Sequence, residues 1–451
     1  MLRLTAPVLA EQVLHLLVGF VDLWLTGNFL AGDAYVAAMT MVIYALWLIG
    51  SLFGFVAYGS TALTARFVGA GDHRLADRVM NQSIASGAIW AAVMMAAGLP
   101  LVGTLVSVMG LSGVAANAAV RYLTIEMCVL PAIMVERVGI ACLRGAGDMV
   151  SGLVVMGIVN VINMATSYAL VVGLGPLPDL GWTGIALGTA IGHVCGATII
   201  LALLIGGRAG YHLRLAALRP DPHTIRRILR IGVPGGTELM LIIFCNFIFV
   251  WIVFGMGDVA AAAHGVAVQV EALGYMPGIA FQISAATMVG QYLGAGDPAR
   301  ARRCVMMATA IAAAIMVSAG VVFYTEAVPL SAFFLGGPDS TVVPVAAQLL
   351  RIAAVVTLPF AVAMVVAGAL RGAGDTRWPL AINVTAMLLV RVPLAMYLAW
   401  GTWQLPLVGL VIVGPGLGVV GAWYAAAIDL VVRCALLLVR FRHDAWQRIE
   451  V

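Results

Sequence analysis

The sequence predicts an all-α integral membrane protein with twelve transmembrane helices, and three observations support this fold class. Of the 451 residues, 63% are hydrophobic and 10% are charged, whereas a soluble domain normally has about 25% charged residues. Twelve apolar runs are long enough to cross the hydrocarbon core, which takes roughly 20 residues of helix. The tetrapeptide Gly-Ala-Gly-Asp occurs four times, each time where one apolar run ends and another begins.

The apolar runs give approximate bounds for the helices in chain order. The first run is not a cleaved signal peptide, because it contains Glu11, His15 and Asp22 and lacks a small-residue cleavage pattern. The twelve predicted spans are 6–30, 35–67, 78–107, 116–142, 150–174, 183–206, 226–255, 260–292, 302–330, 342–369, 378–400 and 416–439.

The four tetrapeptides predict tight turns between helices. Glycine suits the left-handed residue that closes one helix, and aspartate suits the N-cap that opens the next. Arginines cluster beside all four turns, in the segment 206–230 and in the C-terminal tail. Since positive residues concentrate on the cytoplasmic side, we expect these segments and both termini of this multi-pass protein to face the cytoplasm from the inner (plasma) membrane.

The spacing of the tetrapeptides indicates an internal duplication. The first and third copies are 225 residues apart and the second and fourth are 227 apart, which places Glu11 on Glu238 and Arg144 on Arg371. Because each half has six helices, the halves run in the same direction through the membrane as parallel repeats around a central cavity. The predicted domains are an N-terminal six-helix bundle (1–205), a cytoplasmic linker (206–225) and a C-terminal six-helix bundle (226–451).

The duplication also identifies a candidate functional residue. Asp22 lies well inside the first predicted helix, and its repeat partner is Phe249, so the shared fold does not require a carboxyl group there. An ionisable side chain inside a membrane helix costs about 2.5–3.5 kcal/mol on insertion scales and usually marks an ion or substrate pathway. On predicted helix 5, Asn163 and Ser167 are four residues apart and therefore share a face.

The chain resembles the multidrug and toxic compound extrusion (MATE) family. The resemblance is carried by Leu-Arg-Gly-Ala-Gly-Asp in both halves, by LAEQVLHLLVGFVDLWLTG near the start of the chain and by VGQYLGAGD in the second half. It implies a V-shaped pair of bundles that alternates between inward-open and outward-open states. It also implies export of cationic or amphipathic organic compounds in exchange for H+ or Na+.

The resemblance further implies a cation-coupling pocket in the first half. In that pocket, Asn163 is retained and Thr189 occupies the family's threonine position, whereas Ser167 stands where the family pattern has an aspartate. Asp22 is therefore the main carboxylate of the predicted site. Asn160 lies one turn from Asn163, and we expect it to line the same bundle.

Three further residues are candidates for a charge network or for substrate contact. His15 shares a helix stripe with Glu11 and Asp22, so it is either a proton relay or a packed histidine. Glu271 and Arg391 fall near mid-membrane without charged repeat partners, which suggests that they form an ion pair. An unpaired Glu271 would instead attract cationic substrates.

The leading hypothesis is a proton-coupled multidrug antiporter that acts as a monomer on small organic molecules, within the bilayer and without a nucleic-acid partner. We expect no cofactor besides the coupling ion and no metal site, with Na+ at Asp22 as the alternative to H+. A lipid-linked saccharide flippase of the same superfamily is the alternative transporter. A membrane-embedded enzyme is disfavoured, because the sequence contains neither HExxH nor GxSxG.

Overall fold

Helices account for nearly all of the architecture in the computed structural model, which describes residues 1–335, 337, 340–404 and 411–449. The first half contains α1 (Leu2–Phe29), α2 (Asp33–Leu52), α3 (Gly54–Gly69), α4 (His73–Gly98), α5 (Val102–Val108), α6 (Gly113–Cys128), α7 (Leu130–Gly145), α8 (Val150–Val172) and α9 (Trp182–Ile205). The second half contains α10 (Pro222–Phe254), α11 (Asp258–Gly294), α12 (Pro298–Thr325), α13 (Ala327–Leu335), α14 (Val342–Val355), α15 (Thr357–Gly372), α16 (Arg377–Ala386), α17 (Val392–Ala399) and α18 (Gly418–Arg442).

Short elements join or follow these helices. In the described ranges, 3-10 segments occur at Leu99–Leu101, Arg208–Gly210, Leu215–Leu218 and Ala445–Arg448, and a π-helical segment, Met387–Arg391, joins α16 to α17. The connection between α17 and α18 contains two short strands that pair in antiparallel orientation. Its strands are β1 (Thr402–Gln404) and β2 (Val411–Val413), with Thr402 opposite Val413.

Among the residues that the structure describes, ten helices or continuous helical runs are long and apolar enough to cross a membrane, and the number is twelve if each of two bent pairs forms one span. The bent pairs are α6 with α7, at 57°, and α14 with α15, at 54°. Pro131 and Pro359 lie near the start of the second helix of each pair, where a proline removes a backbone donor and favours a bend. The predicted all-α, twelve-span membrane fold is confirmed.

The described chain forms two compact units. One unit contains Leu2–Gly236 together with Gly290–Asp297, and the other contains Thr237–Val289 together with the described residues from Pro298 onward. The sequence-based domain bounds stay a prediction; they are 1–205, 206–225 and 226–451.

The two glycines of each Gly-Ala-Gly-Asp turn have different structural roles. The second glycine has a positive φ, for example +71° at Gly71 and +94° at Gly147, which confirms the predicted left-handed turn. The first glycine lies against backbone: a Cβ at Gly145 would be 2.8 Å from the Thr61 carbonyl oxygen, and one at Gly372 would be 2.0 Å from that of Ala286. The first glycine therefore permits close helix packing.

The aspartates open the next helices. Asp72 accepts a hydrogen bond from the backbone N–H of Leu75 at 2.9 Å, and Asp148 accepts one from that of Ser151 at 3.0 Å. Asp148 also forms an ion pair with Arg208 at 2.7 Å. Partial burial acts to raise the pKa of Asp148, but hydrogen bonds from Arg208 and Ser151 outweigh it and hold that pKa below its usual value.

Close packing between α8 and α9 positions the polar side chains of the first bundle. A Cβ at Gly188 would lie 2.0 Å from Ser167 Oγ, and a Cβ at Gly184 would lie 2.8 Å from the Leu170 carbonyl oxygen. Glycines at these positions of α9 therefore let the backbones approach, as small residues commonly do between membrane helices.

Candidate functional site

Asp22 is the centre of a buried hydrogen-bond cluster in the first bundle. Its side chain on α1 is only 2% exposed. Tyr122 on α6 donates its hydroxyl to Asp22 Oδ2 at 2.7 Å, and Thr189 on α9 donates to the same oxygen at 2.8 Å. Asn163 Nδ2 on α8 donates to Asp22 Oδ1 at 3.3 Å. Four different helices therefore meet at one carboxyl group.

Asn163 connects the members of this cluster. Its Nδ2 lies 2.8 Å from Thr189 Oγ1 and 3.4 Å from Ser167 Oγ, and Ser167 donates to the Ile185 carbonyl oxygen at 3.3 Å. The structure therefore brings together Asp22, Asn163, Ser167 and Thr189, although Ser167 reaches Asp22 only through Asn163.

The Asp22 cluster has no basic member. Within the described ranges, no arginine or histidine forms an ion pair with Asp22. Nor is any group of three or more His, Cys, Asp or Glu side chains in those ranges arranged to hold a metal ion. The carboxyl group is surrounded by two hydroxyls and an amide, which can donate to it but cannot neutralise its charge.

Asn160 and His15 lie in the same bundle but outside the Asp22 cluster. Asn160 Nδ2 donates to the Leu14 carbonyl oxygen at 3.0 Å and to that of Met156 at 2.8 Å, which ties α8 to α1. His15 Nε2 lies 3.7 Å from Glu11 Oε1. The three polar residues predicted to share one face of α1 thus belong to two separate groups of side chains. Asp22 is in one group, and His15 and Glu11 are in the other.

Glu11 and Glu238 have equivalent partners in the two halves. Arg144 Nη2 donates to Glu11 Oε1 at 2.5 Å, and Arg371 Nη2 donates to Glu238 Oε1 at 3.0 Å. Asn383 Nδ2 also donates to Glu238. Because the ion pair recurs at the repeat positions, it belongs to the fold that both halves share.

The sequence analysis missed three buried side chains of the first bundle: Tyr122, Glu126 and His193. The 227-residue offset could have identified two of them, because it places Tyr122 on Leu349 and Glu126 on Ala353. Each is a polar group present in one half only, which is the same signal that identified Asp22.

The proposed Glu271–Arg391 ion pair is wrong. Arg391 Nε instead donates to Asp429 Oδ2 at 3.0 Å, and its Nη1 donates to Asn246 Oδ1 at 3.1 Å. Arg433 contacts the same Asp429 oxygen at 2.8 Å. Glu271 interacts with Arg391 electrostatically, but it forms no ion pair within 4.0 Å in the part of the chain that the structure describes. The sequence indicated that Glu271 and Arg391 lie at a similar depth in the membrane, but it did not indicate which face of its helix each residue occupies.

The second half replaces the carboxyl site with an aromatic one. Phe249, at the repeat position of Asp22, lies beneath the Arg391 guanidinium, with 5.6 Å between the guanidinium carbon and the ring centroid. Its ring centroid is 5.8 Å from that of His264, which accepts a hydrogen bond from the Trp423 indole N–H at 3.2 Å. The two halves therefore share a fold but differ in chemistry at this level.

A duplicated twelve-span bundle with a buried carboxyl cluster in one half is typical of multi-pass membrane transporters. A family model described as MatE matches residues 7–169 and 234–397. The chain belongs to the MATE family of transporters.

Curated relatives align over nearly the full chain. The probable multidrug resistance protein NorM of Thermotoga maritima is 26% identical over 452 residues, covering 100% of this chain and 93% of that protein. The multidrug resistance protein MdtK of Pectobacterium atrosepticum is 25% identical, covering 97% of this chain and 94% of that protein.

Solved structures share the fold. A crystal structure of a MATE protein in the bent conformation aligns with a TM-score of 0.88 at 20% identity, over 98% of this chain and 94% of the other. A transporter of the MOP superfamily from Pyrococcus furiosus aligns with a TM-score of 0.85 at 20% identity, over 99% and 96% of the two chains.

Proposed function

We propose that this protein exports cationic or amphipathic organic compounds across the plasma membrane by alternating access, in exchange for protons. Membership of the MATE family supports transport, and relatives named multidrug resistance proteins support organic compounds as substrates. The proposed coupling residue is Asp22, and Tyr122, Asn163 and Thr189 adjust its affinity for the proton. Ser167 acts indirectly, by orienting Asn163.

The observation that carries this proposal is that Asp22 is buried and forms no ion pair in the described ranges, while His193 acts on it only electrostatically. A buried carboxylate without a cationic partner is costly, and binding a proton removes its charge. Hydrogen bonds from Tyr122, Thr189 and Asn163 act in the opposite direction, because they stabilise the charged form. A helix movement that removes one donor therefore changes how tightly Asp22 holds a proton.

The dependence of the proton affinity of Asp22 on helix position couples proton binding to the conformational change. A proton drives a conformational change only if it binds the two conformations with different affinity. Each pKa unit of difference between them corresponds to about 1.4 kcal/mol. In the proposed cycle, Asp22 takes up a proton when the bundle is open to the outside and releases it when the bundle is open to the cytoplasm. The organic cation moves in the opposite direction.

Sodium is the rival coupling ion because the cluster also contains neutral oxygens. Asn163 Oδ1 is buried and has no hydrogen-bond partner among the described side chains and backbone groups. Exchanging the amide oxygen and nitrogen of Asn163 would turn that oxygen toward Asp22. The transport experiment must therefore separate a proton gradient from a sodium gradient.

The test uses vesicles containing the full-length protein, with ethidium as the probe and a pH gradient in sodium-free buffer. We expect efflux by the wild type and none by Asp22→Asn, which keeps the side-chain volume but cannot titrate. Asp33→Asn is the matched control, because Asp33 is an exposed carboxyl at the start of α2. Undiminished efflux by Asp22→Asn, or wild-type efflux only after sodium is added, contradicts proton coupling at Asp22.

A further inference from the structure

A second buried acidic group lies one helical turn beyond the partners of Asp22. Tyr122 and Glu126 are four residues apart on α6, and Thr189 and His193 are four apart on α9, so each pair shares a helix face. Glu126 is 2% exposed and His193 is 8% exposed. Glu126 interacts electrostatically with both His193 and Asp22. The polar interior of the first bundle therefore continues past the Asp22 cluster.

His193 links this level to a third carboxyl group. Its Nδ1 lies 2.9 Å from Glu136 Oε2 on α7, and the Glu136 side chain is fully buried. A Cβ at Gly196, about one turn further along α9, would lie 2.6 Å from Val159 Cγ2 and 2.8 Å from the same Glu136 oxygen. A larger residue at this position would therefore push the Glu136 carboxyl group away from its present place beside the imidazole.

Several carboxyl oxygens along this line lack a protein partner. Across the described ranges, Glu126 Oε1, Glu136 Oε1 and Glu11 Oε2 are buried and form no hydrogen bond. Buried polar atoms are normally hydrogen-bonded, and exceptions often have a functional reason. A carboxyl oxygen that accepts no hydrogen bond is free to receive a proton.

The charges of this polar line do not balance unless protons are bound. It contains four carboxyl groups and two guanidinium groups, so two additional protons are needed for neutrality. Each of the two imidazoles can hold one such proton, and so can an unpaired carboxyl group. The carboxyl groups are Asp22, Glu126, Glu136 and Glu11, the guanidinium groups are Arg137 and Arg144, and the imidazoles are His15 and His193.

We propose that Glu126, His193 and Glu136 form a second proton-binding site, through which protons pass between Asp22 and the Glu11–Arg144 ion pair. Glu126 interacts electrostatically with Asp22 on α1 and with His193 on α9, and Tyr122 lies one turn away on its own helix. In the proposed relay, a proton released by Asp22 binds Glu126 and then His193 Nε2. His193 gives its Nδ1 proton to Glu136 and becomes neutral again.

Beyond His193, the line continues on α7 and α1. His193 contacts Glu136 and interacts electrostatically with Arg137, and both of these also interact electrostatically with His15. Each transfer leaves the proton count of the line unchanged, so the net charge of the bundle stays constant. This inference rests on the proposed function in one respect, namely that Asp22 is the coupling carboxyl.

Infrared difference spectroscopy during pH titration tests the second site on the purified full-length protein. In the Asp22→Asn background, we expect a carbonyl band of a protonated carboxyl group that remains after Asp22 is removed. The band disappears when Glu126→Gln is added, and its titration midpoint shifts when His193→Gln is added. Glu326→Gln, which changes an exposed carboxyl, leaves the band unaltered. Absence of the band in Asp22→Asn, or its persistence in Asp22→Asn/Glu126→Gln, overturns the second site.

A transport experiment in vesicles tests whether the transported protons pass through this second site. We expect Glu126→Gln to slow pH-driven ethidium efflux at least about tenfold, as expected for loss of a proton-transfer group. Ethidium binding should be unchanged, and Glu126→Asp, which keeps a carboxyl, should restore part of the rate. Wild-type efflux by Glu126→Gln overturns the relay while leaving Asp22 coupling intact. Efflux that Asp22→Asn does not reduce refutes proton coupling at Asp22, on which the relay rests, whatever the infrared result.

Discussion

Arg144 donates a hydrogen bond to Glu11 at 2.5 Å, and this contact has a repeat equivalent between Arg371 and Glu238. Both glutamates are buried almost completely. Removing one partner from a buried ion pair is strongly destabilising, because the other charge is left uncompensated. Equivalent substitutions in the two ion pairs therefore test how much each pair contributes to the stability of its half.

We expect Arg144→Ala and Arg371→Ala each to lower the free energy of unfolding by about 3 kcal/mol. The measurement is denaturant unfolding of purified protein in detergent. Neutralising both partners, as in Glu11→Gln/Arg144→Gln, should cost less than Arg144→Ala, because no charge is left unpaired. If each Arg→Ala variant is as stable as the wild type, the ion pairs do not support the fold.

Tyr122→Phe should change the pH dependence of efflux without abolishing it. The variant keeps the ring but removes one donor that stabilises only the charged form of Asp22, so Asp22 holds its proton more tightly. A hydrogen bond to a charged group contributes about 1.5–3 kcal/mol, and we expect the pH midpoint of efflux to rise by about 1 unit. An unchanged midpoint together with normal folding would show that Tyr122 does not adjust the coupling residue.

Gly188→Ala should separate α8 from α9. The new Cβ would lie 2.0 Å from Ser167 Oγ and 2.6 Å from the Ser167 nitrogen, and overpacking of this kind typically costs about 1–3 kcal/mol. Gly157→Ala on α8 is the control, because its Cβ would meet only Leu14 at 3.9 Å. In thermal unfolding, Gly188→Ala should have a clearly lower unfolding temperature than Gly157→Ala. Equal unfolding temperatures would contradict the close approach of α8 and α9 at Gly188.

The cytoplasmic location of the Gly-Ala-Gly-Asp turns can be tested by thiol labelling. We expect Asp72→Cys and Asp297→Cys to be protected from an impermeant reagent added outside intact cells, because arginines cluster beside these turns. Asp179→Cys, in the exposed connection between α8 and α9, should react from outside. Reaction of Asp72→Cys from outside would refute the predicted orientation.

The ion pair between Arg391 and Asp429 predicts a strong energetic coupling. A double-mutant cycle with Arg391→Gln and Asp429→Asn should give about 0.5–3 kcal/mol, the usual range for residues in contact. The same cycle between Arg391 and Glu271 should give a smaller value, since they form no ion pair within 4.0 Å in the described ranges. A larger coupling energy for Arg391 with Glu271 than for Arg391 with Asp429 would support the Glu271–Arg391 ion pair that the sequence suggested.

The fold was largely predictable because bilayer thickness sets a minimum length for apolar runs, and the repeated turns mark where those runs end. The bends at α6–α7 and α14–α15 were not predicted, because an apolar composition indicates a membrane span but not a change in the direction of its helix axis. Pro131 and Pro359 were the sequence features that could have indicated these bends. Asp22 was identifiable because a carboxyl group within an apolar run is costly. Tyr122 was missed because a tyrosine in a membrane helix usually packs, and only the fold places its hydroxyl 2.7 Å from Asp22.

The presence of Phe249 at the repeat position of Asp22 makes the two halves chemically unequal at this position. A chain spliced from two first halves would carry two such carboxyl groups, and a chain spliced from two second halves would carry none. If ion coupling at Asp22 is as proposed, the number of ions exchanged per transport cycle depends on which halves are joined. Divergence between the repeats has thus placed a carboxyl group in one half and an aromatic ring in the other at the same position of the fold.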